Sequence, residues 1–354
     1  MTAAEARPGH PACPRDPVRR AARARDRARR VVALATVCVA ATGCAQVDVP
    51  ESLSGPEPTM IDAGATAPDA DTSGCDPATV THSLRPDAAA VAAVESRTFD
   101  PGSYMAEIQA RERLRVGVDT ATLQFSSVNP FTLEFEGFDV EIAREIALAL
   151  FGSRDAIEFV AIPYSERVDV LAAQPEPLVD LVINTFTINC DRDARIDFST
   201  EYFTSRQKLL VRTDSAARSI EDMTAEHRVC ATANSTSIEN LAALPAPRPE
   251  AVPVLDQADC LVLLQQGRVD AISTDDTILA GMVAQDRNLE IVGDAFSQEP
   301  YGVGLPPDRP EFVRYVNAVL EQVRSSGRWT ELYDEWLFEL LDEDAEPPVA
   351  LYED

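Results

Sequence analysis

Apolar runs alternate with amphipathic stretches along the middle of the chain. The run L-R-V-G-V-D from Leu114 predicts a short buried strand, and G-F-D-V-E-I-A-R-E-I-A-L-A-L from Gly137 predicts an amphipathic helix capped near Asp139. Three further elements follow in order: a strand from Ile157, a helix from Arg167 to Ala173 and a strand from Leu178 to Ile183. Strands that alternate with helices in this way indicate an α/β domain.

The same alternation begins again after Lys208. R-V-C-A-T from Arg228 predicts a strand, N-S-T-S-I-E-N-L from Asn234 opens a helix, and V-D-A-I-S-T predicts a strand after one more helix. Four prolines between Pro245 and Pro253 mark an extended surface loop between these elements. A second α/β lobe therefore follows the first.

The segments outside these two blocks have different compositions. Residues 45–74 are rich in Pro, Ala, Gly, Ser and Asp without aromatic residues, so they cannot bury enough apolar surface to offset the entropy of ordering. This predicts a flexible tether. Helices are predicted at Asp87 to Ser96 and Ser103 to Arg113 before the first lobe, and at Glu311 to Ser325 after the second. The acidic tail after Leu341 is predicted to be frayed.

The first 43 residues have the pattern of a secretory signal. Nine Arg residues lie within the first 30, and 13 mostly apolar residues, too few to span a membrane, precede Cys44. Thr42 and Gly43 before Cys44 look like a lipobox, in which the cysteine is diacylated and becomes the mature N-terminus, although Ala41 departs from the usual Leu. We expect lipidation at Cys44, with ordinary secretion as the alternative.

The charge balance disfavours two classes of partner. The whole chain has a net charge of −28, and without residues 1–43 it has 22 basic and 56 acidic residues, a net charge of −34. Nucleic acids and anionic membrane surfaces repel so acidic a protein. We therefore expect no nucleic-acid partner.

Four of the seven cysteines remain after the signal and the lipidation site are set aside, and an even number outside the cytosol favours two disulfides. Cys230 and Cys260 belong to one α/β block, which favours their pairing among three possible connectivities and leaves Cys75 with Cys190. A free buried thiol at Cys190 is the alternative. Zinc is disfavoured, because no pair has C-x-x-C spacing and the chain has three His.

The segment from Val182 to Tyr202, V-I-N-T-F-T-I-N-C-D-R-D-A-R-I-D-F-S-T-E-Y, joins an apolar strand to hydroxyl groups and the guanidinium of Arg192. A guanidinium holds a carboxylate through two parallel charge-assisted hydrogen bonds, and nearby hydroxyls and amides satisfy the remaining lone pairs. This pattern predicts a site for a small anionic ligand. The alternative is a surface Arg192 that pairs with Asp191 or Asp193.

The second block places complementary groups at the carboxyl ends of strands, where α/β sheets bind ligands. The helix start at Asn234 suits an anion, although plain N-capping is the more common use of such residues. It lacks the glycines and the Lys of a P-loop. Asp275 or Asp276 suits an ammonium, with a turn or helix cap as the alternative, and Asp119 ends the first strand in the same way. Together with Arg192 these charges match the zwitterion of an α-amino acid.

These blocks, in order over residues 104–341, resemble the extracellular solute-binding proteins, family 3, of polar amino-acid ABC importers. The resemblance is carried by L-R-V-G-V-D, G-F-D-V-E-I-A-R-E-I-A, T-F-T-I-N-C-D-R-D-A-R-I-D-F-S-T-E-Y-F, R-V-C-A-T-A-N-S-T-S, G-R-V-D-A-I-S-T-D-D-T-I-L-A-G and Y-G-V-G-L-P-P. It implies a periplasmic-binding-protein type II fold, in which two α/β lobes joined by a two-segment hinge close over one amino acid. Some members carry a cysteine pair like Cys230 and Cys260, which supports that disulfide.

The resemblance also implies roles for single residues. Arg192 would hold the α-carboxylate of the ligand, helped by Ser235 and the backbone N–H of Thr236. Asp275 would take the α-ammonium. Two further groups would lie beside that ammonium, the Thr187 hydroxyl and the Thr185 carbonyl.

Asp119 matches a family position near the amino or side-chain end of the ligand. Two positions depart from the family pattern. Thr122 stands where many members have an aromatic residue that packs on the ligand, so Phe125 or Phe138 is expected to replace it. Asn234 stands for the usual Gly before the Ser-Thr pair, which would narrow the anion site.

The hinge crossings are expected near Leu210 to Arg212 and near Pro300 to Gly304. The chain is then divided as follows: signal peptide 1–43, tether 44–74, N-terminal extension 75–112, first lobe 113–210, second lobe 211–300, return to the first lobe 301–341 and acidic tail 342–354.

The expected function is that of a monomeric lipoprotein that captures Glu, Gln, Asp or Asn outside the membrane and delivers it to an ABC permease and ATPase. An amino-acid sensor that signals to a membrane partner is the alternative. An enzyme on the same fold is a third possibility, disfavoured because the chain offers no Ser/His/Asp set. No metal or other cofactor is expected.

Overall fold

A computed structural model describes residues 75–173 and 175–353 of the chain. The predicted signal peptide, the lipidation residue Cys44 and the tether lie outside the described residues. Fifteen strands occur in the described part: β1 (Ser83–Leu84), β2 (Leu114–Val118), β3 (Ala121–Thr122), β4 (Ser126–Val128), β5 (Phe135–Glu136), β6 (Ile157–Ala161), β7 (Leu181–Val182), β8 (Asp197–Phe198), β9 (Phe203–Arg212), β10 (Arg228–Thr232), β11 (Glu250–Val254), β12 (Ala271–Asp275), β13 (Leu289–Tyr301), β14 (Gly304–Leu305) and β15 (Tyr352–Glu353).

The same residues form eleven α-helices: α1 (Ala88–Ser96), α2 (Tyr104–Ala110), α3 (Phe138–Phe151), α4 (Arg167–Ala172), α5 (Cys190–Asp193), α6 (Thr236–Ala243), α7 (Gln257–Gln265), α8 (Asp276–Gln285), α9 (Pro310–Ser325), α10 (Arg328–Trp336) and α11 (Phe338–Leu341). None of these described helices combines the length and the hydropathy that a membrane-spanning helix requires.

The first sheet has the strand order β6-β2-β7-β14-β8. β2 is parallel to β6 and β7, whereas β14 is antiparallel to β7 and β8. The largest hydrophobic cluster lies against this sheet and includes Ile142, Ile146 and Leu150, which recur at helical spacing on α3. α9 contributes a second apolar stripe to the same cluster. The sheet and its helices form the first lobe.

The second sheet has the strand order β11-β10-β12-β9-β13. β10 is parallel to β11 and β12, and β9 is antiparallel to β12 and β13. Successive side chains of a strand point to opposite faces. Accordingly Val229 and Cys230 of β10 belong to two different hydrophobic clusters, one on each face of the sheet. The sheet and these two clusters form the second lobe.

Two neighbouring strands connect the lobes. Phe203 at the start of β9 pairs with Tyr301 at the end of β13, and Gly304 of β14 already belongs to the first sheet. The first crossing lies earlier than Leu210, where the sequence placed it, because Leu210 is paired with Ile272 inside the second sheet. The residues from Thr204 to Gln207 are polar, yet they already pair with β13 in the second sheet, which residue type alone does not indicate.

The C-terminal tail is ordered, contrary to the prediction of a frayed end. β15 pairs in parallel with β1, so the two ends of the described chain form a small sheet. The guanidinium of Arg85 lies over the ring of Tyr352, 4.6 Å from its centroid. Asn317 on α9 donates hydrogen bonds to Ser83 Oγ at 2.9 Å and to Leu84 O at 2.8 Å. These contacts hold the tail against the first lobe although it is rich in acidic residues.

Candidate ligand-binding site

Arg192 is buried between the lobes and not at the surface. The residue is 7% exposed and lies on α5, whose N-cap Asn189 accepts a hydrogen bond from the Arg192 backbone N–H at 3.0 Å. Its Nη1 donates to the carbonyl of Thr187, and its guanidinium lies 5.0 Å from the ring centroid of Phe186. Among the described residues it forms no ion pair, so the alternative of a surface pair with Asp191 or Asp193 is wrong.

Arg167 is a second buried guanidinium that the sequence interpretation missed. It is 2% exposed, and it donates through Nε to Tyr164 O at 3.0 Å and through Nη1 to Asn184 O at 3.1 Å. Like Arg192 it lies over the ring of Phe186, at 4.5 Å. Burial and the neighbouring Arg192 charge lower the pKa of Arg167 to about 9. Its position in the segment that follows β6, a strand that ends at the same sheet edge as Asp119, was the available signal.

Asp275 supplies a buried carboxyl group from the second lobe. It is 4% exposed and occupies the N-cap position of α8, but its carboxyl group makes no side-chain capping bond to that helix. The Tyr301 hydroxyl donates to its Oδ2 at 2.5 Å, and burial raises the pKa of the carboxyl to about 8. Asp276 has a different environment, because it pairs with Arg206 at 3.2 Å. Of the two candidates, Asp275 is the one in the cleft.

The start of α6 is an N-cap, as the alternative interpretation held, and it also faces the cleft charges. Ser235 is the cap: its hydroxyl accepts from Ile238 N at 3.3 Å and donates to Thr232 O at 2.6 Å. The Thr236 hydroxyl donates to Glu299 Oε2 at 2.7 Å. Both hydroxyl protons are therefore engaged within the second lobe. The Ser235 hydroxyl thus caps Ile238 N–H, and the backbone N–H groups of Thr236 and Ser237, which have no partner inside a helix, are left for an anion.

Asn234 adopts φ of +56°, a left-handed conformation. Asn tolerates this region better than other residues with a side chain, because its short polar side chain bonds locally. Asn234 can therefore replace the Gly expected at this position, because it adopts the same left-handed turn before the N-terminus of α6.

A hydrogen-bonded chain joins Asp119 to the second lobe. Thr122 Oγ1 donates to Asp119 Oδ2 at 2.6 Å, and it accepts from Gln257 Nε2 on α7 at 3.0 Å. The Tyr164 hydroxyl lies 3.1 Å from Thr122 Oγ1 and 3.0 Å from Thr185 Oγ1. Burial raises the pKa of Asp119. Gln257 and Tyr164 were both missed by the sequence interpretation.

The expected aromatic replacements are wrong. Phe125 and Phe138 are fully buried in the core of the first lobe, where their rings lie 6.0 Å apart and pack against Phe203. Both rings belong to this core cluster and are not available to a ligand in the cleft. The aromatic side chain next to Thr122 is Tyr164.

Comparison with known proteins identifies the class. The profile of the bacterial extracellular solute-binding proteins, family 3, matches residues 114–339. The chain belongs to this family. A relative, the ABC transporter glutamine-binding protein GlnH of Bacillus subtilis, is 32% identical over 235 residues, which cover 66% of this chain and 85% of that protein. The glutamate-binding protein GluB of Corynebacterium glutamicum is 30% identical over 214 residues, 57% of this chain and 71% of the relative.

Solved structures support the same family and fold. The P235GK mutant of the arginine-binding protein from T. maritima aligns with a TM-score of 0.60 at 26% identity and covers 66% of this chain and 98% of its own. The ancestral amino-acid-binding protein AncCDT-1, a precursor of cyclohexadienyl dehydratase, aligns with a TM-score of 0.60 at 28% identity and covers 66% and 99%. The predicted periplasmic-binding-protein type II fold is therefore confirmed.

Asp139 does not cap α3, contrary to the sequence prediction, but binds the backbone of Thr185 and the hydroxyl of Tyr202. α3 begins after Gly137, and the fully buried Asp139 accepts from Thr185 N at 2.8 Å and from the Tyr202 hydroxyl at 2.7 Å. Thr185 has φ of +40°, which is uncommon for a β-branched residue. Burial raises the pKa of Asp139 to about 7. The carboxylate therefore holds the Thr185 loop beneath the cleft.

The structure contains both expected disulfides. Cys75 pairs with Cys190 and Cys230 with Cys260, each with Cα atoms 5.6 Å apart. The first joins the N-terminal extension to α5, and the second joins β10 to α7 inside the second lobe. The alternative of a free thiol at Cys190 is therefore wrong.

Proposed function

We propose that this solute-binding protein captures a polar amino acid between its lobes and delivers it to an ABC importer. The observation that carries the proposal is the pair formed by Arg192 and Asp275. The two residues are buried, they interact electrostatically, and they lie on different lobes without an ion-pair partner among the described residues. An α-amino acid brings the carboxylate and the ammonium that these two groups lack.

Charge burial gives the mechanism of closure. A buried charge without a partner costs several kcal/mol, and attraction between opposite charges 4 Å apart is about 4 kcal/mol at an effective dielectric constant of 20. The ligand supplies that attraction only when both lobes reach it. The lobes therefore close around the amino acid and separate without it, a shift of population toward the state with the better affinity.

Binding roles follow from this arrangement. Arg192 and the first turn of α6 hold the α-carboxylate, and Asp275 holds the α-ammonium beside Thr187 and Thr185. Asp119, Thr122, Tyr164 and Gln257 surround the side-chain end, so this end is polar. The relatives named for glutamine and glutamate support the Glu, Gln, Asp and Asn class.

Arg167 favours an anionic side chain within that class. Its guanidinium is buried beside Arg192, and main-chain carbonyls accept its hydrogen bonds without neutralising its charge. A second carboxylate would neutralise it. We therefore place L-glutamate and L-aspartate ahead of their amides.

The relatives are named as binding proteins, and the cleft charges complement a zwitterion, so a non-catalytic role is part of the proposal. Lipidation at Cys44 is a further part of it and would tie the protein to the outer face of the membrane. Detergent phase partitioning of the full chain tests this anchor: Cys44→Ser should move the protein to the aqueous phase.

Calorimetric titration of residues 45–354 with each of the twenty amino acids tests the central claim. We expect binding of one or more members of the acidic and amide class, with loss of detectable heat in Arg192→Ala. Arg195→Ala is the matched control, because Arg195 is exposed and pairs with Asp169 at 2.6 Å. No heat with any amino acid would overturn the proposal.

A further inference from the structure

The Cys75–Cys190 disulfide lies next to the residue that the proposed function needs most. Cys190 is the first residue of α5, and Arg192 follows two positions later on the same four-residue helix. So short a helix has almost no stability of its own, because nucleating a turn fixes several dihedral angles for few hydrogen bonds. The position of the Arg192 guanidinium therefore depends on whatever holds α5 from outside.

The N-terminal extension is one such support. Its first strand is fixed to the first lobe, where Ser83 Oγ donates to Phe198 O at 2.7 Å. Between the disulfide and that strand, Val80 packs against the hydrophobic cluster that contains Phe186 and Ile188. Phe186 is the ring over which Arg192 lies. The disulfide thus ties α5 to an N-terminal segment that is itself bound to the first lobe at β1 and Val80.

The two disulfides differ in accessibility. Cys230 and Cys260 are 0% and 1% exposed and belong to the core of the second lobe. Cys75 and Cys190 are both half-buried and lie at the edge of the first lobe. A thiol in solution should therefore reduce Cys75–Cys190 before Cys230–Cys260, since exchange requires direct attack on a sulfur atom.

We propose that the Cys75–Cys190 disulfide positions Arg192, so that amino-acid affinity depends on the redox state of this bond. The inference rests on the proposed function. In the exchange, a dithiol attacks one sulfur and forms a mixed disulfide, and its second thiol then displaces the remaining cysteine. Cys75 and Cys190 end as two thiols, and the dithiol is oxidised to its cyclic disulfide.

Calorimetry with L-glutamate and L-glutamine on residues 45–354 tests the inference, after mass spectrometry has shown that both disulfides are present. We expect Cys75→Ser/Cys190→Ser to weaken binding about tenfold, and brief dithiothreitol treatment of the parent protein to weaken it equally. Cys230→Ser/Cys260→Ser is the matched control: it should lower the Tm and leave the affinity within about twofold. The dithiothreitol arm keeps the test valid if the double variant folds poorly.

A double-mutant cycle separates positioning from general stability. If the bond acts through Arg192, its removal in an Arg192→Lys background should change the affinity by less than about twofold, because the shared interaction is already lost. Additive losses, or an unchanged affinity after reduction of Cys75–Cys190, would overturn the inference. If the oxidised parent binds neither amino acid, the proposed function fails instead, which is a distinguishable result.

Discussion

The two sides of the cleft carry opposite charges and hold them by different means. On the first lobe, Arg167 and Arg192 donate to main-chain carbonyls, which accept hydrogen bonds but do not neutralise a charge. On the second lobe, the carboxylates of Asp275 and Glu299 accept from the hydroxyls of Tyr301 and Thr236. Asp119 is the exception on the first lobe. Tyr301 itself belongs to the core cluster of the first lobe, so Asp275 is oriented from across the hinge. The charged groups of each side are left for the other side, or a ligand, to neutralise.

This comparison indicates that specificity is divided between the lobes. Under the proposed function, Asp275 of the second lobe would hold the ammonium group that every amino acid has, while the first lobe would use Arg192 for the α-carboxylate and Arg167 for the side chain. Changes on the two sides should therefore have different consequences.

After Arg192→Ala, the change with the largest expected effect on affinity is Asp275→Asn. Removing one partner of a buried charge pair costs about 2–5 kcal/mol, so L-glutamate binding should weaken by about 30-fold or more in calorimetry. Asp276→Asn is the control, because Asp276 pairs with a partly exposed Arg206 and such pairs contribute about 1 kcal/mol or less. Equal losses in the two variants would contradict the role of Asp275.

Arg167→Gln should change selectivity more than general affinity. The variant keeps a hydrogen-bonding group but loses the charge, so L-glutamate binding should weaken about tenfold relative to L-glutamine. The ratio of the two dissociation constants is the measurement, since any loss of stability in the first lobe affects both ligands. An unchanged ratio would show that Arg167 supports the loop and does not select the ligand.

The ligand-free protein should lose stability as the pH rises from about 5 to 8. The pKa of Asp275 is raised to about 8 and that of Asp139 to about 7, so the folded state keeps protons that the unfolded chain releases. The free energy of unfolding then falls by up to about 1.4 kcal/mol per pH unit for each group. Urea titrations across this range measure the slope.

Asp275→Asn should make this slope shallower, because the neutral amide has no proton to lose. Saturating amino acid should act in the same direction, since its ammonium stabilises the ionised carboxylate. A stability difference between parent and variant that does not change with pH would contradict the raised pKa.

Gln257→Ala should have the smallest effect. The residue donates to Thr122 across the cleft at 3.0 Å, and a typical hydrogen bond contributes about 1 kcal/mol, so the affinity should fall by about threefold to fivefold. Gln265→Ala on the same helix is the control, because Gln265 is exposed and its amide donates to Asp286. Tighter binding in Gln257→Ala would show that this bond holds the empty lobes together instead.

The strongest sequence signals for the site came from residues whose chemistry is explicit. Arg192 follows an apolar strand and hydroxyls, and Asp275 ends a strand, so both the element and the charge are readable in the sequence. Arg167 was not found, because an Arg at the start of a helix after Tyr and Ser usually faces solvent. Its burial depends on Phe186 and on carbonyls 17 and 18 residues away along the chain.

Ser235 and Thr236 show a second limit of sequence reasoning. Ser235 and the backbone N–H of Thr236 were expected to help hold the ligand carboxylate, but the structure gives both hydroxyl protons to acceptors within the second lobe, Thr232 O and Glu299. Glu299 is 63 residues from Thr236 and meets it because β13 returns past α6. No local pattern contains that information.

By itself the sequence determined the alternation of strands and helices and the charge of the two principal anchors, because these follow from local periodicity and residue chemistry. Its motifs carried the resemblance to the family, and it favoured the cysteine pairing that the structure contains. Tertiary structure alone decided the point at which β9 leaves the first lobe, the burial of Arg167, the hydrogen bonds that Asp139 accepts and the pairing of the C-terminal tail with β1. These features depend on contacts between residues far apart in the chain, and their energies arise from burial and from partners that only the folded topology brings together.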